Sequence, residues 1–291
     1  MLIASIMGLP NPVTWKKLAQ LMEEAGADAL ELNISCPHGL PEKGMGALIG
    51  QDPVRAAEVT QWVKWAVKIP VVVKLTPNVT DITAIASACV KAGADAISGI
   101  NTVKSLGGID LNKLEPLPSV NGYSTFGGYG GAGIKPIALR CVAEIAQTVK
   151  VPVSASGGIL TWGDAAEFIL AGAGTLQVCS GIMLFGYQLI EDLTNGLQQY
   201  MNRKKFASIK NMVGLVQPKI VKFGQLKLRQ SYAVINNMKC LPECRLCAIS
   251  CQDAGFQAIT MAGDKVCISK SKCDGCGLCL AICPAGAISL V

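Results

Sequence analysis

A three-residue pattern recurs in the first 200 residues and restricts how that region can fold. The pattern is Ala-Gly-Ala, at 25–27, 92–94 and 171–173, and each copy follows a helical pattern and precedes an apolar stretch. Glycine at the end of a helix supplies the left-handed turn that stops it, so each copy predicts a helix followed by a strand. Repeated alternation of strand and helix indicates a parallel sheet.

The alternation predicts six strands, two of which begin at a proline. They span 2–7, 29–34, 69–74, 96–101, 151–156 and 175–180. Both an open doubly wound sheet and a (β/α)8 barrel alternate in this way. We favour the barrel because a whole strand–helix–strand–helix unit recurs along the chain, and a barrel consists of equivalent units.

The composition agrees with a parallel sheet that helices cover on both faces. Hydrophobic residues make up 51% of the chain and charged residues only 16%, as is normal for a core of this kind. No apolar run is long enough to cross a bilayer, so no membrane association is expected. The chain also lacks the features of an export signal, which predicts a cytoplasmic protein.

Eight of the thirteen cysteines lie in two short runs near the end of the chain. The runs are Cys240, Cys244, Cys247, Cys251 and Cys273, Cys276, Cys279, Cys283. The second run, followed by Pro284, has the spacing at which three thiolates bind one [4Fe-4S] cluster and the fourth binds a second cluster. Zinc is the alternative, but zinc sites use two close pairs separated by a longer loop. The runs therefore predict a ferredoxin-like domain that carries electrons through two clusters.

The usual two-cluster pattern assigns each cysteine to a cluster. One cluster is expected on Cys240, Cys244, Cys247 and Cys283, and the other on Cys273, Cys276, Cys279 and Cys251. The first run departs from the pattern, because three residues separate Cys240 from Cys244 where two are usual.

The positive charge of the chain is concentrated between 200 and 235. The formal net charge is +6, and this segment contains no Asp or Glu. Its basic residues are Arg203, Lys204, Lys205, Lys210, Lys219, Lys222, Lys227 and Arg229. We interpret the segment as a solvated linker, with a docking surface for an acidic redox partner as the alternative. No nucleic-acid motif accompanies the charge. The predicted domains are a barrel over 1–200, a basic linker over 201–235 and a ferredoxin-like domain over 236–291.

Glycine-rich loops follow the late strands of the predicted barrel. They lie at 127–131, 157–158 and 180–181. Backbone amides in such loops bind phosphate, which in barrels usually lies after the seventh and eighth strands. Ordinary turn glycine is the alternative for any one loop. Together with two iron–sulfur clusters, the loops predict a phosphate-bearing flavin.

Several polar residues at the strand ends could act on a flat ligand. Cys36 follows a strand, and a neutral thiol there could donate a proton to carbon, with His38 orienting it. Lys74 could stabilise a reduced flavin, or could simply pair with a neighbouring carboxylate. Asn33 and Asn101 offer amide donors and acceptors that suit alternating N–H and C=O edges.

Four segments of the chain resemble dihydropyrimidine dehydrogenases. They are Glu31–Gly39 (ELNISCPHG), Lys74–Asn78 (KLTPN), Ile100–Lys104 (INTVK) and Lys135–Arg140 (KPIALR). The chain is most similar to the FMN and iron–sulfur subunit of the bacterial NAD-dependent form, and the similarity includes the cysteine-rich tail. The resemblance implies reduction of uracil or thymine to the 5,6-dihydropyrimidine, with hydride from FMN to C6 and a proton from Cys36 to C5.

The resemblance also implies the roles of other residues. It implies that Asn33, Ser35, Asn101 and Thr102 bind the pyrimidine. It implies that Lys74 and Asn101 contact the flavin, and that Gly131, Gly158, Cys179 and Ser180 hold its phosphate. Electrons would come from NADH through a separate FAD-containing reductase subunit, in a hetero-oligomer.

The chain departs from this family at its start. Family barrels have two further strand–helix units before the strand that resembles 2–7, and six strands cannot close an eight-stranded barrel. We therefore expect a partial barrel, either a fragment or completed by another chain. The alternatives are a dihydroorotate-dehydrogenase-like flavoenzyme and an electron-transfer remnant that binds no flavin.

Overall fold

A computed structural model describes residues 1–37, 43–226, 231–263 and 265–291. The described residues form two compact units, Met1–Ile220 and Val221–Val291. The division between the units lies inside the predicted linker 201–235, and the predicted domain ends stay a prediction. Lys227 and Arg229 of the basic segment lie outside the described residues.

The first unit alternates strands and helices. Its strands are β1 Ile3–Ile6, β2 Ala29–Asn33, β3 Val71–Leu75, β4 Ala96–Gly99, β5 Val103–Ser105, β6 Gly108–Asp110, β7 Glu115–Leu117, β8 Gly127–Tyr129, β9 Val153–Ser156 and β10 Thr175–Gln177. Its α-helices are α1 Pro12–Glu24, α2 Ala47–Gly50, α3 Pro53–Lys64, α4 Ile82–Lys91, α5 Lys135–Thr148, α6 Trp162–Ala171, α7 Ser180–Phe185 and α8 Gln188–Lys204. Short 3-10 helices span 132–134, 209–211 and 217–219.

Six of these strands form one parallel sheet, which confirms the six predicted strands. Its order is β1-β2-β3-β4-β9-β10, so each strand lies beside the next one of the sheet along the chain. A doubly wound sheet would reverse this order at a switch point. The consecutive order is that of a (β/α)8 barrel, and the unit is a parallel half-barrel sheet of that type. Among the described residues, β1 and β10 each have a neighbouring strand on one side only.

Glycines end three helices as the Ala-Gly-Ala pattern predicts. Gly26, Gly93 and Gly172 have φ angles of +90°, +104° and +121°, which residues with a side chain rarely adopt. The next strand begins three residues later in each case. The long helices α1, α3, α4, α5, α6 and α8 pack in chain order around the sheet, and their apolar faces form one core with its strands.

An antiparallel excursion between β4 and α5 was not predicted from the sequence. In it β5 pairs with β8, and the β6–β7 hairpin lies between them along the chain, which makes a nested antiparallel arm over 103–129. Several large apolar side chains of the arm are exposed, among them Leu111, Leu114 and Tyr123. Because these strands are three residues long and carry no clear alternation, hydrophobic periodicity could not reveal them.

The second unit is small and built from short elements. Its strands are β11 Ala233–Ile235, β12 Ile259–Ala262, β13 Lys265–Ile268 and β14 Ile288–Leu290, its α-helices are α9 Leu246–Asp253 and α10 Leu278–Ala281, and a 3-10 helix spans Phe223–Gln225. β11 pairs with β14 and β12 with β13, both antiparallel. Each of the two α-helices contains cysteines of one run. Within the described part of the chain, no helix is both long and apolar enough to cross a membrane.

Candidate functional site

Polar side chains from four strands meet inside the half-barrel around Lys74. Its Nζ lies 3.0 Å from Gln177 Oε1 and 3.3 Å from Glu31 Oε1. The other carboxylate oxygen of Glu31 accepts hydrogen bonds from Gln177 Nε2 at 2.6 Å and from Ser98 Oγ at 2.9 Å. Lys74 therefore has the carboxylate partner that the sequence left open, and it also lines the adjacent cleft.

Sequence reasoning missed Glu31, Ser98 and Gln177 as parts of this group. Glu31 is only 7% exposed although it carries charge, and a buried carboxylate requires partners. A charged residue inside the apolar strand Ala29–Asn33 was the available signal, but the sequence gives no indication of which strand supplies the partner.

Asn101 joins the predicted pyrimidine-binding residues to one another. Its Nδ2 donates to Ser35 Oγ at 2.9 Å and to Asn33 Oδ1 at 3.1 Å, and its Oδ1 accepts the backbone N–H of Thr102 at 2.8 Å. Ser35 is fully buried, so its hydroxyl helps to fix the Asn101 side chain through this hydrogen bond. Asn33 is half-buried beside it.

Asn78, a further residue missed in the sequence, fixes the position of Thr102. Its Nδ2 donates to the Thr102 carbonyl at 3.1 Å and to Thr76 Oγ1 at 2.9 Å, and its Oδ1 accepts the backbone N–H of Lys104 at 2.8 Å. The side chain thus ties the end of β3 to the first strand of the arm. Its sequence signal was its place in the Lys74–Asn78 segment.

A cleft at the carboxyl ends of the late strands collects most predicted cofactor contacts. The predicted site residues that line it are Lys74, Asn101, Thr102, Gly131, Gly158, Cys179 and Ser180. Asn33, Ser35 and Cys36 are not among the lining residues. The first two reach the cleft through their hydrogen bonds to Asn101.

The glycines of this cleft have two different functions. A Cβ on Gly158 would come within 2.7 Å of Lys135 Cβ and 2.9 Å of the Gly131 carbonyl oxygen, so glycine is needed there for packing. Gly131 has a φ of +80°, and a Cβ on it would meet nothing within 4 Å. The open space beside Gly131 is what a backbone cradle for a phosphate requires, and the cleft residues fit an FMN in this respect.

Two carboxylates of α6 pair with a lysine at the start of α5. Lys135, at the start of α5, pairs with Asp164, and with Glu167 at 2.8 Å. Burial alone would raise the pKa of Asp164, but hydrogen bonds from Lys135, Leu160 and Thr161 outweigh it and lower the pKa. The hydrogen bonds that Lys135 donates to Asp164 and Glu167 in turn raise the pKa of Lys135.

Cys36 lies on the loop after β2, half-buried and outside the cysteine runs. Its carbonyl accepts the backbone N–H of Ala47 at 3.0 Å. The next residue, Pro37, lies close to the arm, since a Cβ on Gly128 would be 3.3 Å from Pro37 Cγ. His38, the predicted orienting residue, lies outside the described residues.

The buried cysteines of the first unit differ from Cys36 in exposure. Burial raises the pKa of Cys89 to about 12, and burial also raises the pKa of Cys141. Both side chains are enclosed in the core. Cys36 is half-buried, so it is the most accessible of these three thiols.

In the second unit the eight cysteines surround two separate cavities. Cys240, Cys244, Cys247 and Cys283 line one cavity, and Cys251, Cys273, Cys276 and Cys279 line the other. Each cavity takes three cysteines of one run and one of the other. The cavities group the cysteines as the two-cluster pattern would, with Cys251 and Cys283 crossing over, and their roles as cluster ligands stay a prediction.

The extra residue between Cys240 and Cys244 is accommodated by a turn. Glu243 has a φ of +59°, and the N–H of Cys244 donates to the Leu241 carbonyl at 3.3 Å. Cys240 and Cys244 consequently line the same cavity in spite of the longer spacing.

Backbone N–H groups point at the cysteine sulfurs. Ala258 donates to Cys251 Sγ at 3.2 Å and Ala287 donates to Cys283 Sγ at 3.3 Å. The second bond lowers the pKa of Cys283. Hydrogen bonds of this kind stabilise thiolates and tune the potentials of iron–sulfur clusters.

Comparisons with known proteins agree with both units. A dihydroorotate dehydrogenase family model matches residues 13–201, and a 4Fe-4S dicluster domain model matches residues 233–290. The first family is a flavin-binding one. The structure of a DHODH from Eimeria tenella in complex with ferulenol has a TM-score of 0.58 at 21% identity, and the match covers 72% of this chain and 60% of that chain. At this identity the likeness shows the fold alone.

Curated relatives carry the comparison across the whole chain. The NAD-dependent dihydropyrimidine dehydrogenase subunit PreA of Escherichia coli K12 is 44% identical over 99% of this chain and 71% of its own length. The chloroplastic dihydropyrimidine dehydrogenase (NADP(+)) of Arabidopsis thaliana is 43% identical over 80% of this chain and 56% of its own length. The catalytic subunit of dihydroorotate dehydrogenase B from Pyrococcus furiosus is 44% identical over 74% of this chain and 68% of its own length.

The three relatives differ in how far they extend along this chain. The Pyrococcus match covers about the length of the half-barrel unit, whereas the PreA match includes the cysteine-rich unit as well. The chain thus joins a half-barrel of a flavin-binding family to a 4Fe-4S dicluster domain, as expected of an oxidoreductase subunit. Since 99% of this chain aligns with PreA at 44% identity, the chain belongs to the dihydropyrimidine dehydrogenase family.

Proposed function

We propose that this chain reduces uracil or thymine to the 5,6-dihydropyrimidine as the FMN and iron–sulfur subunit of a larger enzyme. The observation that carries the proposal is the position of Asn101. It lines the cleft with Lys74 and the glycine loops, and it bonds to Asn33 and Ser35. One side chain thus connects the proposed pyrimidine site to the proposed flavin site.

The amide groups suit the edge of a pyrimidine. Uracil and thymine present alternating N–H and C=O groups, and an asparagine amide offers both a donor and an acceptor in one plane. Asn33 and Asn101 supply two such amides 3.1 Å apart, with Thr102 beside them. In the proposed enzyme these three side chains and Ser35 orient the ring.

Cys36 delivers the proton in the proposed reaction. Its thiol gives H⁺ to C5 of the pyrimidine and becomes a thiolate, which regains a proton from solvent before the next cycle. Cys36 directly follows Ser35 and lies three residues after Asn33, the last residue of β2. The proposed proton donor and two of the proposed ring-binding residues therefore share one short segment of chain. His38, two positions further along the chain, is proposed to orient the thiol.

The cleft residues hold the flavin in the proposed enzyme. Gly131, Gly158, Cys179 and Ser180 bind the FMN phosphate, while Lys74 and Asn101 contact the ring. Bound FMN supplies hydride chemistry at C6 of the pyrimidine. Lys74 contributes a positive charge at the ring, and its partners Glu31 and Gln177 keep that charge in place.

The second unit conducts electrons to the flavin in the proposed complex. Two [4Fe-4S] clusters occupy the two cysteine-lined cavities, and the backbone N–H groups at Cys251 and Cys283 tune their potentials. The source is NADH, oxidised by a separate FAD-containing subunit. The name of the E. coli relative, a subunit of an NAD-dependent enzyme, supports a hetero-oligomer.

Anaerobic absorption spectroscopy tests the proposal. The protein is purified without oxygen, its flavin and iron contents are measured, and dihydrouracil is added. We expect one FMN per chain, and bleaching of the flavin band as the reverse reaction transfers electrons to it. Cluster absorbance without flavin would favour the electron-transfer remnant instead. Bleaching by dihydroorotate but not by dihydrouracil would assign the chain to the related dihydroorotate chemistry.

A further inference from the structure

Two oxygen atoms inside the half-barrel lie against the Lys74 ammonium. It donates a hydrogen bond to Gln177 Oε1 at 3.0 Å and forms an ion pair with Glu31 Oε1 at 3.3 Å. An ammonium has three donors, and Lys74 lines the cleft. Lys74 therefore keeps donor capacity for a ligand in the cleft.

The two acceptors are themselves held in place. Gln177 donates to Glu31 Oε2 at 2.6 Å, and Ser98 Oγ donates to the same oxygen at 2.9 Å. Glu31 thus uses one oxygen for Lys74 and the other for its neighbours. With Glu31 buried, neither acceptor can turn away without breaking several hydrogen bonds.

This arrangement removes the motion that a lysine side chain normally has. A free lysine side chain has considerable rotamer entropy, which is lost when the side chain is fixed. Here that loss accompanies folding rather than ligand binding. A charge that is ordered before the ligand arrives stabilises developing charge more effectively than one that must reorganise.

We propose that Glu31 and Gln177 are positioning residues that hold the Lys74 ammonium toward the flavin ring. The inference rests on the proposed function, because it places FMN in the cleft. It adds two residues that act on the flavin only through Lys74. Such a role differs from that of a structural ion pair, which would stabilise the fold and leave the flavin unaffected.

Sulfite binding to the FMN-loaded protein measures this role without turnover. Sulfite donates its electron pair to the flavin, a nitrogen–sulfur bond forms, and the ring gains negative charge and loses its visible band. A positive charge held at the ring favours this adduct. We expect Lys74→Met to raise the dissociation constant for sulfite at least about tenfold, and Gln177→Met to raise it about threefold, from the loss of one charge-assisted hydrogen bond.

A double-mutant cycle distinguishes positioning from an independent effect. If Gln177 acts through Lys74, Gln177→Met has no further effect on sulfite affinity in the Lys74→Met protein. Additive effects of the two substitutions would overturn the inference. Gln177→Asn, which is too short to reach both partners, provides the same comparison if Gln177→Met does not fold.

A matched control is available elsewhere in the first unit. Lys64 also pairs with a carboxylate, Asp95, at 2.6 Å, but neither residue lines the cleft. Lys64→Met should leave sulfite affinity unchanged, and an equal loss there would also contradict the inference. If the wild-type protein holds no FMN, the proposed function fails. If FMN is bound and the effects are additive, only the positioning role fails.

Discussion

The two units of this protein stand in contrast in how they satisfy their functional side chains. In the half-barrel, the site residues bond to one another, as Asn101 does to Asn33 and Ser35 and as Lys74 does to Glu31. In the second unit, eight thiols face two cavities and have few partners besides backbone N–H groups. The site residues of the half-barrel hold one another in position. The cysteines of the second unit instead line two cavities.

The hydrophobic cores differ in the same way. The core of the first unit includes large buried side chains from every long helix and from most strands of the sheet. The core of the second unit consists of Ala233, Cys247, Ile259, Val266, Cys279 and Ile288. Two of these six are cysteines of the runs, and a unit of this size needs more than such a core to fold. The contrast indicates that bound clusters supply a larger share of the folding energy in the second unit than bound flavin does in the first.

The largest expected effect is at a buried cysteine of the second unit. Cys279→Ala removes a ligand of one proposed cluster and part of the small core, so we expect loss of about half of the iron and unfolding of 221–291. Limited proteolysis and iron analysis would measure this. Cys267→Ala is the matched control, since Cys267 is exposed and lines neither cavity. A protease-resistant second unit in Cys279→Ala would refute the contrast.

In the half-barrel, Cys36→Ala should act on the reaction alone. Loss of the proton donor is expected to reduce turnover about 10²- to 10⁴-fold. FMN content and thermal stability should not change, because Cys36 is half-buried and does not line the cleft. Steady-state kinetics of the full complex and flavin release on denaturation would measure both. Unchanged turnover would remove Cys36 from the role of proton donor.

A smaller effect on stability is expected at Asp164. Its carboxylate pairs with Lys135 and accepts from Thr161 at the start of α6, so Asp164→Ala should lower the free energy of unfolding by about 1–3 kcal/mol. Urea titration measures the loss. Asp81→Ala, at the exposed start of α4, removes only a helix cap and should cost less. An equal loss in both variants would show that the Lys135 pair contributes nothing.

The same carboxylate gives a prediction for pH. The pKa of Asp164 is lowered in the folded protein, so its contribution is present above the ordinary carboxyl pKa and is lost as the pH falls through the folded value. The difference between wild type and Asp164→Ala should therefore be constant from about pH 5 to pH 8 and shrink below about pH 4. A difference that grows toward low pH would contradict the lowered pKa.

The smallest effect concerns the extra residue of the first cysteine run. Glu243 has a left-handed backbone, which glycine adopts at less cost. Glu243→Gly should keep the full iron content and stabilise the protein by up to about 1 kcal/mol, because the larger freedom of unfolded glycine offsets part of the gain. Glu243→Ala keeps the strain and should show no gain. Loss of iron from Glu243→Gly would mean that the turn shapes the cavity more strictly than we infer.

The contrast also explains which features could be predicted from the sequence. The partition of cysteines between two cavities follows from spacing, since Cys273, Cys276 and Cys279 are too close in the chain to separate. The six parallel strands follow from the repeated helix ends. Glu31 and Gln177, in contrast, are 146 positions apart and lie on strands that are not neighbours in the sheet, so only the folded half-barrel brings them together. The arm over 103–129 was missed because its strands are too short for periodicity.

The consecutive order of the six-stranded sheet has a consequence for the evolution of the protein. Several strand–helix units contribute residues to the cleft at or just after their strands, as Lys74, Asn101 and Gln177 show. A substitution or insertion in one loop therefore alters one wall while the neighbouring units keep their packing. Such modularity is consistent with two relatives that are named for different substrates, dihydropyrimidine and dihydroorotate, and are each 44% identical to this chain. Selection could therefore change the substrate one loop at a time, while the sheet and its helices stay the same.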